Sequence, residues 1–196
     1  MLALLIFEIV FFVTLLIVLI GSFYTFWLTL KHPPYVPTVN PKVITSLTSY
    51  ISAKSKIKTF IEPGSGFCGI SLQIEKQFPN IEVIAIEYNI FICLLANIRL
   101  KLKRSKIKLF HGDFTNFNLT KYQNKGETVI YCYLLPQLME EAYKNNQFKN
   151  SIVLTLDFQI PKVEADGNIQ IGTNGFQKQL WVYECEESIK HIKDKL

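Results

Sequence analysis

The chain has 196 residues, of which 49% are hydrophobic and 19% are charged, and its formal net charge is +5. That length predicts one globular domain. A charge this small excludes the strongly basic surface of a nucleic-acid-binding protein, so we expect no nucleic-acid partner. The four cysteines form no C-x-x-C pair, which argues against a zinc or redox motif, and we expect no metal.

The N-terminal segment, residues 1–31, predicts a transmembrane anchor. Ile9 to Leu30 form a run of 22 residues without a charge, which as a helix is about 33 Å long and matches the hydrocarbon core of a bilayer. A cleaved signal peptide is the alternative, but no positive n-region precedes the run and no small-residue cleavage site follows it. We therefore expect a single-pass membrane protein.

The distribution of basic residues predicts the orientation of this anchor. No lysine or arginine precedes the apolar run, whereas Lys31 and the later lysines follow it, so the positive-inside rule places the C-terminal part in the cytoplasm. Lysine and isoleucine are abundant and arginine occurs only twice, a bias typical of an AT-rich genome. This composition favours a bacterial cell membrane over the mitochondrial inner membrane.

Residues 32–41 predict a linker, because their four prolines disfavour helix and favour an extended chain. Asn40 then offers a helix cap, with Pro41 at the first helical position. Residues 42–196 form one predicted domain.

Apolar periodicity in this domain alternates between the strand and helix patterns. The pattern predicts strands at 59–61, 83–86, 107–110, 128–134 and 152–158, and helices at 70–78, 90–102 and 138–143. Such alternation predicts a mostly parallel, doubly wound α/β sheet. Residues 161–175 are polar and rich in turn formers, and residues 180–185 predict a last strand that returns antiparallel.

Ligands of a doubly wound sheet bind beyond the carboxyl ends of its strands, so the residues after each strand are the candidate site. Glu62-Pro-Gly-Ser-Gly66 follows the first strand, and its glycines permit close backbone approach to a ligand. Glu87 ends the second strand, and it follows the glycine loop at about the sequence spacing expected for an acid that binds ribose hydroxyls. Asp113 follows the third strand, where it can accept a hydrogen bond from an adenine amino group.

The first loop also distinguishes between two nucleotide cofactors. Gly64, Gly66 and Gly69 match the G-x-G-x-x-G pattern of nicotinamide-binding proteins. A carboxylate at Glu62, however, would repel a pyrophosphate and suits the cationic end of S-adenosylmethionine. The acid at the third strand and the antiparallel ending also favour S-adenosylmethionine as the cofactor.

These segments resemble the membrane-anchored, S-adenosylmethionine-dependent class I lysine methyltransferases, a family that includes the mitochondrial ATP synthase c-subunit methyltransferase. The resemblance runs from the apolar segment through most of the domain and implies a Rossmann-like methyltransferase fold. The segments that carry it are Pro34-Tyr-Val-Pro-Thr38, Glu62-Pro-Gly-Ser-Gly66, Glu87-Tyr-Asn89, Gly112-Asp-Phe114 and Tyr133-Leu-Leu-Pro136.

The resemblance implies roles for particular residues. Glu62, Gly64 and Gly66 would surround the amino-acid end of the cofactor, Glu87 would hold the ribose and Asp113 the adenine. Tyr35 and Thr38 would close over the cofactor, and Tyr133 and Pro136 would orient the acceptor amine. The remaining implied cofactor-binding residues are Ser65, Tyr88, Asn89 and Phe114.

Three functions follow as hypotheses. The first is methylation of a lysine near the bilayer surface in a membrane protein, so that the implied partners are the lipid bilayer and that substrate. The second keeps the cofactor but has a lipid, a quinone or another hydrophobic small molecule as the acceptor. The third is a degenerate, non-catalytic binding module, because Phe67 and Cys68 stand where the family has Asp-Gly.

Overall fold

The computed structural model describes residues 2–31, 40–123, 127–172 and 178–184. The chain divides into two units, Met1–Tyr35 and Val36–Leu196. Tyr35 and Thr38, and with them most of the predicted linker, lie outside the described residues.

The first unit contains one helix, α1 (Leu2–Lys31). Its segment Leu4–Tyr24 has a mean hydropathy of 3.0 and no buried part, so by length and composition it can cross a membrane. A signal sequence near an N-terminus has the same properties. The predicted N-terminal apolar helix is therefore present.

The second unit begins with helix α2 (Pro41–Ala53). The Asn40 side chain accepts a hydrogen bond from the Lys42 amide at 2.9 Å, and Pro41 occupies the first turn, as predicted. The buried side of α2, which includes Val43, Leu47 and Ile51, packs into the core.

A seven-stranded sheet forms the centre of this unit, in the spatial order β3-β2-β1-β4-β5-β7-β6. The five strands β1 to β5 run parallel, and β7 runs antiparallel to both of its neighbours. A mostly parallel sheet with one antiparallel strand near the C-terminus is the predicted arrangement. The strands are β1 (Thr59–Pro63), β2 (Glu82–Glu87), β3 (Lys108–His111), β4 (Thr128–Cys132), β5 (Ile152–Leu156), β6 (Gly167–Ile171) and β7 (Lys178–Tyr183).

Helices cover both faces of the sheet. Together with α2, helices α3 (Gly69–Gln77) and α4 (Ile90–Leu102) contribute to the core on one face, where the rings of Phe60 and Tyr131 stack at 6.5 Å. The other face is covered by α5 (Pro136–Lys144) and by a 3₁₀ turn (Phe114–Asn116). Such two-sided coverage explains why every residue of the parallel strands β1, β4 and β5 is buried.

Strand β6 was not predicted from the sequence. It lies at the edge of the sheet and pairs only with β7 among the described strands. Its side chains alternate between more exposed and more buried positions, and only Ile169 and Ile171 are large and apolar. The polar, turn-rich composition of residues 161–175 therefore reflects one solvent-facing edge strand and its flanking turns.

Candidate functional site

The loops after β1, β2 and β3 lie together at the carboxyl edge of the sheet, and backbone hydrogen bonds join them. The Ser65 amide donates to the Ile86 carbonyl at 3.1 Å, and the Gly112 amide donates to the Glu87 carbonyl at 3.0 Å. The first bond fixes the glycine loop against β2, and the second fixes the loop after β3 against the end of β2. The three predicted acids therefore lie at or just after the carboxyl ends of adjacent strands, as the sequence indicates.

Glu87 is the buried carboxylate that connects two of these loops. Its Oε2 accepts from the Gly66 amide at 2.8 Å, and its Oε1 accepts from the Asn89 amide at 2.7 Å. Burial raises its pKa above the ordinary value, while these backbone donors oppose the rise. Each carboxylate oxygen has a further lone pair, so Glu87 can still accept from a vicinal diol.

Glu62 is the second buried carboxylate, at the end of β1. Its Oε2 accepts from the Ser71 amide at 2.9 Å and also from the Ser71 hydroxyl. Burial raises its pKa from 4.5 to about 7; the Ser71 bonds oppose that rise, and the nearby charge of Glu87 adds to it. Two carboxylates disfavoured in their ionised forms form a site that a cation would stabilise.

The backbone of the first loop has the left-handed conformation at three positions. Gly64 has φ 65° and Gly66 has φ 52°, which suits glycine. Cys68, at the N-cap of α3, has φ 57° and ψ 39° although it carries a side chain. Cys68 therefore keeps a conformation typical of glycine, and its buried thiol has a pKa raised to about 12, chiefly by burial.

Gly64 also faces the side chain of Leu134, which lies in the loop after β4. A Cβ atom at Gly64 would lie 2.9 Å from Leu134 Cδ2. We expect Gly64→Ala to destabilise the domain by about 1–2 kcal/mol through its positive φ and this contact, and to weaken ligand binding about tenfold or more. Thermal unfolding and ligand titration measure both effects.

Gly167→Ala is the matched control for this substitution, because a Cβ there meets no atom within 4 Å. We expect it to change stability by less than about 0.5 kcal/mol and to leave binding unchanged. Equal effects of the two substitutions would show that Gly64 has no special role.

The other predicted cofactor residues have structural contacts of their own. Asp113 is exposed and its Oδ1 accepts from the amide and the hydroxyl of Thr115, both at 2.9 Å, so that it caps the 3₁₀ turn. Asn89 caps α4 through the amides of Phe91 and Ile92. Tyr88 is 40% exposed at the same edge. Their roles towards a cofactor stay predictions.

Phe114 lies in the core, with its ring 5.9 Å from that of Phe148. Its side chain is therefore part of the core, and its role towards a cofactor stays a prediction. Ser65 is also buried, and its carbonyl accepts from the Cys68 amide at 2.8 Å. Ser65 thus shapes the loop between Gly64 and Gly66.

Tyr133, predicted to orient the acceptor, lies in a cluster that sequence reasoning did not identify. Its ring stacks on Phe158 at 6.5 Å, and the Lys178 ammonium lies 5.0 Å from its centroid. That ammonium also pairs with Asp157 Oδ2 at 3.1 Å. Phe158 and Asp157 follow β5, and Lys178 begins β7, so the cluster lies at the same carboxyl edge as the glycine loop.

Pro136, the other residue predicted to orient the acceptor, is the first residue of α5. It follows Leu134 and Leu135, so the segment after β4 extends from Tyr133, beside the ammonium, through Leu134, beside Gly64. This segment connects the cluster with the glycine loop. Its role towards an acceptor stays a prediction.

No protein-family model and no curated protein sequence matches the chain. Solved structures do match. An RNA methyltransferase from Salinibacter ruber in complex with S-adenosyl-L-homocysteine is 18% identical with a TM-score of 0.61, covering 77% of this chain and 95% of that chain. The human methyltransferase 10 domain containing protein is 12% identical with a TM-score of 0.57, covering 78% and 86%. The chain therefore has the Rossmann-like class I methyltransferase fold, which confirms the predicted fold class.

Proposed function

We propose that the chain is an S-adenosylmethionine-dependent methyltransferase, tethered to a membrane by α1, that methylates a lysine side chain of a membrane-associated protein. The observation that carries this proposal is the ammonium group held by Tyr133 and Asp157 at the carboxyl edge of the sheet, where Leu134, the residue after Tyr133, faces Gly64. A lysine acceptor needs a site of this chemistry beside the methyl donor.

The residues at this edge fit the proposed cofactor. S-adenosylmethionine has a sulfonium and an ammonium, and the buried carboxylates Glu62 and Glu87 complement positive charge. Glu87 retains acceptor capacity for a ribose diol, and Gly64 lacks the Cβ that would reach Leu134. The bound S-adenosyl-L-homocysteine of the Salinibacter ruber enzyme supports the same cofactor for this fold.

When bound, S-adenosylmethionine would supply a methyl group on a sulfonium, and S-adenosylhomocysteine would leave as the carbon–sulfur bond breaks. The acceptor nitrogen must be neutral to form the new bond, so the lysine ammonium first loses its proton to the solvent that reaches the cluster. The protein then has two tasks, which are to position the amine in line and to hold the amine nitrogen with its lone pair free. Positioning is the larger contribution in such reactions. The aromatic ring of Tyr133 can hold the cationic amine as it arrives and the cationic product after transfer.

The contacts of Lys178 indicate how a substrate lysine would be bound. The Lys178 ammonium contacts one aromatic ring and one carboxylate, which are the groups that recognise a lysine side chain. Its side chain is 30% exposed and Asp157 is 26% exposed, so the cluster opens to solvent. An incoming lysine would replace the Lys178 ammonium on Tyr133 and Asp157.

The membrane tether in the proposal rests on α1, because Leu4–Tyr24 is long and apolar enough to span a bilayer. A single-pass topology with the domain on the cytoplasmic side follows from the basic residues after the span. A tether raises the effective concentration of the domain towards substrates in the same membrane.

The raised pKa of Glu62 predicts how cofactor binding depends on pH. A cation binds best to the ionised carboxylate, so we expect the affinity for S-adenosylmethionine to rise as the pH increases through about 7. Glu62→Gln should weaken binding and remove this component of the profile. Titration calorimetry in two buffers of different ionisation enthalpy also reports the proton that Glu62 releases.

The unliganded protein should show the opposite trend in stability. The folded pKa of Glu62 is raised, so its contribution is fully present below the ordinary value of 4.5 and is lost as the pH rises through about 7. The rise corresponds to about 3 kcal/mol. Glu62→Gln should therefore become stabilising relative to wild type as the pH rises between these values. If the free energies of unfolding of the two proteins depend on pH in the same way, the raised pKa of Glu62 is contradicted.

The direct test is methylation of native membranes by the full chain with isotopically labelled S-adenosylmethionine. We expect label in protein, at methyl-lysine identified by mass spectrometry, and an absence of that label with Glu87→Ala. Label in the lipid extract instead would favour the lipid or quinone acceptor, and label in RNA would favour the acceptor named for the Salinibacter ruber enzyme. No transfer, with cofactor binding retained, would favour the non-catalytic module.

A further inference from the structure

Helix α4 is apolar both on the side that packs against the sheet and on the opposite side, which faces away from the sheet. Ala96 and Leu100 pack into the core. The opposite side exposes Ile90, Leu94, Leu95, Ile98 and Leu102, each at least 49% exposed. These five, the apolar face of α4, are the most exposed large hydrophobic side chains of the described part of residues 40–184. A helix that is apolar all round is normally covered on every side.

Basic side chains border this face at the end of α4. Lys101, Lys103, Arg104 and Lys106 are exposed, and the ion pairs between described residues include none of them. No acidic residue occurs from position 88 to position 112. Apolar side chains beside these cations complement the acyl chains and the anionic headgroups of a membrane surface.

We propose that the apolar face of α4 lies in the interface of an anionic membrane, with the helix axis parallel to the bilayer. From Ile90 to Leu102 the face is about 18 Å long, enough for several lipids. The uncompensated positive charge favours lipid over a second copy of the chain, because two such faces would bring like charges together. The inference does not depend on methyl transfer.

Such docking would determine which part of the catalytic edge faces the membrane. Helix α4 begins directly after Glu87 and Asn89, so Ile90 lies at the end of α4 nearest the candidate site. Phe67, in the glycine loop, is 36% exposed, and its carbonyl accepts from the Arg99 guanidinium at 2.9 Å. Phe67, which stands where the resembled family has Asp, is therefore joined to α4 through its backbone, at the rim of the proposed membrane contact.

The test uses the full chain in vesicles that contain phosphatidylglycerol and nitroxide-labelled lipids. In a background with Cys93 and Cys185 replaced by serine, a fluorescent label is attached at Leu102→Cys or, as a matched control on the opposite face of the sheet, at exposed Gln137→Cys. We expect the nitroxides to quench the Leu102 label about threefold more than the Gln137 label. Flotation of the chain with the vesicles tests α1 separately.

Two variants distinguish the sources of any quenching. Leu94→Asp combined with Ile98→Asp should reduce it to the level of the control label. Replacing Lys101, Lys103, Arg104 and Lys106 with glutamine should remove its dependence on phosphatidylglycerol. Equal quenching of the two labels would overturn the proposal, as would shielding of the Leu102 label only on dimerisation. S-adenosylmethionine binding, measured in the same samples, tests the proposed enzyme independently.

Discussion

Replacing Glu87 with alanine is expected to weaken S-adenosylmethionine binding by more than 100-fold. Glu87 accepts from the Gly66 and Asn89 amides, so its loss removes the group that fixes the glycine loop against the start of α4. It also removes the proposed acceptor for the ribose. Each hydrogen bond to a charged group contributes about 1.5–3 kcal/mol, and titration calorimetry measures the sum.

Glu82→Gln is the matched control for Glu87→Ala. Glu82 is the first residue of the same strand, is partly exposed and pairs with Lys108 at the opposite edge of the sheet. An exposed pair of this kind contributes little to stability, so binding and thermal unfolding should be close to wild type. If Glu87→Ala binds the cofactor as tightly as Glu82→Gln does, the cofactor site is elsewhere.

Most of the sheet could be predicted from the sequence because it is buried. Parallel strands covered on both faces appear as continuous apolar runs, and β1, β2, β4 and β5 were each predicted within a few residues of their observed bounds. Strand β6 has only one covered face, and its two isoleucines are separated by polar residues. Strand β6 is paired with β7, and the sequence of β6 alone does not encode this pairing.

The position of three predicted acids at one edge of the sheet was predictable for a related reason, whereas their roles towards a cofactor stay predictions. Parallel strands bring their carboxyl ends to one edge, so an acid at the end of each strand predicted Glu62, Glu87 and Asp113 together. The same criterion applies to Asp157 after β5, which the sequence reasoning missed. The contact of Ser71 with Glu62 could not be inferred because it depends on the path of the loop between β1 and α3, and that of Leu134 with Gly64 because it depends on packing between distant segments.

Phe67 and Cys68 stand where the resembled methyltransferase family has Asp-Gly, and the two differences have different structural effects. Cys68 has the left-handed backbone that a glycine would adopt more easily, so the loop keeps its path at a cost of about 1 kcal/mol. Phe67 changes the surface instead, because it is exposed beside α4. The departures therefore alter the rim of the site and leave the Glu87 and Gly66 contact intact.

Tyr133→Ala is expected to lower kcat/KM for the acceptor by about 3-fold to 30-fold while changing the Kd for S-adenosylmethionine by less than about twofold. The ring of Tyr133 contacts the Lys178 ammonium at 5.0 Å, and a contact of this kind contributes about 0.5–2 kcal/mol to binding a cation. Loss of the ring also removes the stacking on Phe158 that positions this segment. Steady-state kinetics with a lysine-containing peptide measure the first quantity and calorimetry the second.

Tyr133→Phe separates the ring from the hydroxyl, because it keeps the aromatic face and should retain most of the activity. Asp157→Asn should raise the acceptor KM, since a neutral amide attracts the ammonium less strongly than a carboxylate does. Lys178→Gln should lower that KM, because it removes the internal competitor from Tyr133 and Asp157. If Lys178→Gln raises KM instead, the cluster serves to hold β7 against β5 and the acceptor binds elsewhere.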